Sequence, residues 1–170
     1  GMPQVLLPEL RGRDRKVFPN PTKGTRTMLC YSIQFDLLYW PLWCDAREIH
    51  RFNEVRHSFG MADTAFEIVE FTPYWENKLF KAGDSNIKVG YYEKIRQHDP
   101  DYHAEPVVRY LVLVSNLQFG SVSSELQLPA KLQNAKVIVQ PGREAVTVKD
   151  QRVSLQLDPY DFTILEVSGL

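Results

Sequence analysis

The chain has 170 residues, with 20 basic and 21 acidic side chains and a net charge of −1. That balance supplies no electrostatic reason to expect nucleic acid or an anionic membrane as a partner. The longest apolar runs are too short to span a bilayer, so no membrane span is expected. The hydrophobic fraction of 44% suits a chain that buries a proper core, and the length suits one domain, or one domain with an appended element. The N-terminus lacks the basic, apolar and small-residue order of a signal peptide, and the sequence assigns no compartment.

Residues 1–27 read as an irregular arm. Pro3, Pro8, Pro19 and Pro21 interrupt any element. Arg11, Arg13, Arg15 and Lys16 form a basic run that is either solvated or a polyanion contact. Residues 28–63 read as a strand, a loop and a helix. The apolar run 27–33 suggests a buried strand containing Cys30. An aromatic loop, 37–43, follows and is broken by Pro41. Asp45 is placed to cap a helix over about 46–59, with Glu48 three residues on in a box-like arrangement. Ile49, Phe52, Val55 and Phe59 recur at helical spacing, with Arg56 at the margin of the stripe. Gly60 supplies a left-handed stop. His50 and His57 are seven apart on this helix and read as polar surface. Cys30 and Cys44 are too few for a disulfide scaffold or a zinc site; they are two buried thiols or one bridge.

Residues 64–170 read as an antiparallel β-sandwich. Strands are expected at 64–71, 87–94, 110–115, 123–128, 135–140, 145–148, 152–157 and 162–167. They are short, β-branched or Leu-rich, and bounded by turn residues. In 152–157, Val153, Leu155 and Leu157 alternate with Arg152, Ser154 and Gln156, which puts one face on a core and one in water. The tip Lys149-Asp150-Gln151 predicts a hairpin between 145–148 and 152–157. The expected fold is therefore mainly β, an antiparallel sandwich with an N-terminal strand and one main helix.

Three stretches carry a family likeness: Lys23 to Leu29, the helix end Phe59-Gly60-Met61-Ala62-Asp63, and Phe71-Thr72-Pro73-Tyr74-Trp75. Together they resemble the junction in glycoside-hydrolase-like proteins, similar to relatives of glycoside hydrolase family 123. There the last strand and helix of a catalytic (β/α)8 barrel pass into a C-terminal β-sandwich. The segments 89–93, 110–116 and 155–167 are similar to that sandwich, so the likeness covers roughly 23–170. It implies that 28–63 correspond to the end of the barrel, and that this chain is a non-catalytic accessory domain supporting a catalytic barrel outside it. A barrel takes ~250 residues, and the family's catalytic carboxylates lie in that part, so the resemblance assigns no catalytic residue here. The parent protein would be a glycoside hydrolase; the alternative reading of this chain is a stand-alone carbohydrate-binding module. The implied partners are the barrel in cis or a second copy through an uncovered helix face, and carbohydrate.

Three constellations bear on chemistry. Glycosidases need two carboxyl groups facing one bond, but Glu67 and Glu70 are three apart on a strand and point to opposite faces. The cluster His98-Asp99-Pro100-Asp101-Tyr102-His103 holds ligand-type side chains but reads as a polar turn between strands, matching no metal spacing. Trp40, Trp43, Tyr74 and Trp75 are candidates for carbohydrate contact, since an aromatic face stacks on a sugar ring; the competing role is core filling between helix and sandwich. No Gly-x-Ser-x-Gly, Walker or dinucleotide glycine pattern occurs, so no cofactor or metal is expected.

Overall fold

The computed structural model describes residues 5–6, 21–40, 43–61, 67–96, 108–132 and 134–169. The N-terminal part contains β1 (Val5–Leu6), α1 (Pro21–Ser32), a 3-10 turn (Ile33–Phe35), β2 (Leu38–Tyr39), α2 (Ala46–Arg56) and a wide π-type turn (His57–Met61). The strands that follow are β3 (Glu67–Thr72), β4 (Lys81–Ala82), β5 (Ile87–Arg96), β6 (Val108–Asn116) and β7 (Val122–Gln127). The last four are β8 (Lys136–Gln140), β9 (Glu144–Val146), β10 (Arg152–Leu157) and β11 (Phe162–Gly169).

The molecule is mainly β. The largest sheet has six strands in the order β3-β5-β6-β11-β8-β9 and a second has three, β10-β7-β4, every pairing in both antiparallel, while the short β1 and β2 pair in parallel apart from them. The chain passes back and forth between them, and each strand of the smaller sheet is inserted between two strands of the larger. Two cores result. Between the sheets lie Phe80, Tyr91, Tyr110, Val112, Val114, Leu126, Val153, Leu155, Leu165 and Val167. On the far face of the larger sheet, Leu29, Cys30, Ile33, Ile49, Phe52 and Phe59 of the helical layer pack on Tyr92, Leu111, Leu113, Phe162 and Ile164. Strand β6 is buried on both faces, which is why it reads as an unbroken apolar run; β10 has one buried face and alternates strictly. Each large apolar side chain removed from water contributes about 1.5–3 kcal/mol.

Two expectations are corrected. The run 27–33 is not a strand: it is the end of α1 and the 3-10 turn that follows. Pro21, read as a breaker, is the first residue of α1, where its missing N–H costs nothing. Thr25, Leu29, Cys30 and Ile33 then fall on one buried helical face, overriding the strand-like composition. The arm of 1–27 therefore gives way to a helix at Pro21, and the basic run lies outside the described residues. The hairpin of 145–148 with 152–157 also does not form. A two-residue turn at Asp150 and Gln151, both at positive φ, closes through reciprocal Lys149–Arg152 backbone bonds of 2.8 and 3.0 Å. Beyond that single bridge β9 pairs with β8 and β10 with β7, because the chain changes sheets there.

The start of α2 is as expected, with Asp45 Oδ1 accepting from Arg47 N at 3.0 Å. The return half of the box is absent: Asp45 N donates to Thr25 Oγ1 at 2.8 Å, and Glu48 binds Arg26 and Arg51. Regular helix ends at Arg56, three residues short of the expected limit, and Gly60 at φ 141° closes the wider turn. Arg56 is buried, not marginal. It donates to Leu37 O at 2.7 Å and Asp36 Oδ1 at 2.6 Å, and Tyr92 Oη donates to the same carboxylate.

Gly90 on β5 marks the closest approach of the helical layer. A Cβ there would lie 2.6 Å from Gln34 Oε1 and 3.3 Å from Thr72 O. Gln34 is 1% exposed, and its amide nitrogen donates to Leu113 O at 3.0 Å and Ser115 Oγ at 3.1 Å, so it has little room to yield. Gly90→Ala is expected to lower stability by about 1–3 kcal/mol in urea unfolding. The loss should shrink in a Gln34→Ala background; an equal loss in both backgrounds would refute the clash.

Candidate functional site

Six aromatic residues, most of them exposed, form two groups of touching rings on α1, its 3-10 turn and the loops beside them, together called the aromatic file. The turn after β3 carries Tyr74 and Trp75, the 3-10 turn carries Phe35, and α1 carries Tyr31 one turn earlier. The β10–β11 turn adds Tyr160, and the β6–β7 loop adds Phe119. Trp75 meets Tyr74 edge-on at 5.0 Å and Phe35 at 5.5 Å. Tyr31 stacks on Tyr160 at 5.9 Å with 26° between planes, and Phe119 meets Tyr160 edge-on at 5.0 Å. Phe119 is 88% exposed, Trp75 55%, Phe35 50% and Tyr31 46%, so the rings present surface rather than fill a core. Lys88 Nζ lies 5.7 Å from the Tyr74 ring centroid.

Local geometry fixes these rings. In Asp158-Pro159-Tyr160-Asp161, Asp161 N donates to Asp158 O at 3.3 Å, with proline second and Tyr160 third at φ 51°. That is the left-handed position of a type II turn, where a side chain is strained by roughly 1–3 kcal/mol. Stacking of Tyr160 between Tyr31 and Phe119 offsets part of that strain. Asn116, fully buried at the end of β6, joins the two loops: its Nδ2 donates to Gly120 O at 2.9 Å and Asp158 O at 2.8 Å. Tyr160 N donates to Gln118 O at 3.3 Å. On the other side, Asn77 holds the Trp75 turn against β5, donating to Phe80 O at 2.7 Å and Val89 O at 2.8 Å.

Of the four aromatics nominated from sequence, Tyr74 and Trp75 belong to this file. Trp40 and Trp43 lie on the loop after β2, 59% and 39% exposed, and no ring contact among the described residues joins them to the file. Tyr31, Phe35, Phe119 and Tyr160 were not singled out by sequence. Tyr31 becomes legible once 21–32 is read as a helix, because Leu29, Cys30 and Ile33 then point inward and Tyr31 outward. Glu70 is exposed on β3 opposite Glu93 in register, and the side chain of Glu67 lies outside the described residues, as does the whole of 98–103. Among the described residues no group of three or more His, Cys, Asp or Glu is placed to hold a metal, and no helix is long and apolar enough to cross a membrane.

Cys30 and Cys44 are free thiols. Burial pushes Cys30 up to about 11, and its Sγ donates to Asn116 O and Asp161 O, so it sits as a packed thiol rather than a nucleophile. Burial likewise pushes Tyr39 up to about 12. Comparison with family models, with curated proteins and with solved structures gives no match for this chain.

Asn116→Ala is expected to cost about 1–3 kcal/mol, since it removes the two hydrogen bonds that the fully buried amide donates to Gly120 O and Asp158 O. The cost should appear in urea unfolding together with weaker near-ultraviolet dichroism from Tyr31 and Tyr160. Unchanged stability would show that the loops are held by other contacts.

Proposed function

We propose that this chain is the non-catalytic accessory β-sandwich of a glycoside-hydrolase-like protein, and that it contacts carbohydrate through the aromatic file. The observation that carries the reading is the outward presentation of two groups of touching rings, Trp75 with Phe35 and Tyr31 with Tyr160 and Phe119, that share α1 and its 3-10 turn. Isolated exposed rings are ordinary, but a contiguous set argues for a ligand. A pyranose offers C–H groups to an aromatic face and hydroxyls to its rim. Lys88, Asn86 and Gln118 supply polar groups near the rim, with Asn86 Nδ2 donating to Gln118 Oε1 at 3.2 Å. The turns that carry the rings are fixed by buried Asn116 and by Asn77, so little ordering entropy is lost on binding.

Titration with neutral gluco-, xylo-, manno- and chito-oligosaccharides should change the tryptophan fluorescence for at least one series. Trp75→Ala and Phe35→Ala should weaken that binding by tenfold or more. No spectral or calorimetric response across the panel would remove the reading.

Leu38, Trp40 and Trp43, respectively 43%, 59% and 39% exposed on the helical layer, favour a second contact. They suit packing against a catalytic barrel in cis, and in the isolated chain they would promote self-association. Light scattering at high concentration should report an oligomer that Trp40→Ser shifts towards monomer. A clean monomer of the unaltered chain would count against this surface.

A further inference from the structure

A second site, sharing no residue with the aromatic file, lies at the end of α2. The helical layer does not cover the whole of the six-stranded sheet. On its helix-side face, β11 reads Phe162, Ile164, Glu166, and β6 reads Leu113, Leu111, Arg109; Ile164 lies beside Leu113 and Glu166 beside Leu111 in register. Both rows are apolar beneath the helices and become charged where the helices stop. There, between the end of α2, its π-type turn and the β8–β9 turn, lies a cleft of about 680 Å³, within the range of small-ligand sites.

The floor of this cleft is a satisfied ionic network. Glu166 accepts from Arg109 at one oxygen and from Gln140 Nε2 at the other, 2.7 Å away. Burial would raise the Glu166 carboxyl, but those two hydrogen bonds and the charges of Arg109 and Arg143 more than offset it and hold it below the usual range. On the helix wall His50 Nε2 meets Glu54 at 3.1 Å. Four other lining side chains, Asn53, His57, Ser58 and Arg143, have no hydrogen bond or ion pair to their side chains among the described residues. Arg143 stands at φ 57° in the turn after Pro141, so its backbone is held in a conformation that a side chain rarely adopts.

We infer that this cleft binds a singly charged, polyhydroxylated carboxylate, an acidic sugar of the uronic acid class. The Arg143 guanidinium acts on Glu166 through its charge alone; among the described residues it makes no hydrogen bond or close ion pair, so its planar fork is left for bidentate pairing with a carboxylate. Glu54 and Glu166 remain in the same cleft and repel a multiply charged phosphate, which selects a monoanion. Asn53 and Ser58 each donate and accept, matching ring hydroxyls. The site is separate from the aromatic file and does not depend on the reading given to it.

Calorimetric titration of the whole chain with galacturonate, glucuronate and their short oligomers tests the inference, with glucose, galactose and inorganic phosphate as controls. At least one uronate should bind tenfold or more tightly than its neutral counterpart and than phosphate. Arg143→Gly, which relaxes the positive φ, should weaken uronate binding at least tenfold, and Arg143→Lys less. Asn53→Ala provides a second variant away from the turn. No uronate binding, equal binding of neutral sugar or phosphate, or indifference to both Arg143→Gly and Asn53→Ala would overturn the assignment.

Discussion

The architecture depends on burial of β6 and β11 on both faces. Tyr110, Val112 and Val114 point to one side of β6 and Leu111 and Leu113 to the other, all 1% exposed or less. Such strands cannot stand in a two-layer fold with a wet outer face; they require cover on each side. The three-stranded sheet covers one side and the paired helices the other. The helices are too short to cover the entire sheet, and the charged cleft occupies the part they leave bare.

The helical layer is fastened by Arg26. Its guanidinium binds Asp161 at 2.6 Å and Glu48 at 2.9 Å, donates to Phe162 O and lies 4.6 Å from the Phe162 ring centroid. One side chain thus links α1, α2 and the turn before β11. Burial would lower the Arg26 pKa, but the two carboxylates offset this and raise it, so the cation is permanent. Because Asp161 adjoins Tyr160, the same link places Tyr160 against Tyr31. These ion pairs join the apolar packing of the helical layer in tying α1 to the turn that carries Tyr160.

Strand rhythm was legible in the sequence because alternation and turn residues are local signals. The burial alternation of β10, the cap at Asp45 and the stop at Gly60 all follow from short-range chemistry. What was not legible depended on distant contacts. The residues of α1 carry β-branched and sulfur-containing side chains, and only their docking against Leu111 and Phe162 selects the helix. The β9–β10 hairpin failed because the turn signal says nothing about which sheet each arm joins. For the aromatic file the sequence offered Tyr74-Trp75 as a visible pair, while Tyr31 with Phe35, Tyr160 and Phe119 come from three separate segments that tertiary structure brings near one another. The cleft had no local signature beyond the spacing of His50 and His57.

The order of strands has a consequence for how the molecule is made. Strand β11 is the last in sequence yet lies between β6 and β8 in the middle of the larger sheet. During synthesis β6 can pair with β5, but its other edge stays open until residues 162–169 have left the ribosome. Throughout that interval the nascent chain exposes a strand that is apolar on both faces and unpaired along one edge, the kind of surface that recruits foreign strands. Vectorial synthesis therefore keeps that edge of β6 open until residues 162–169 arrive to pair with it.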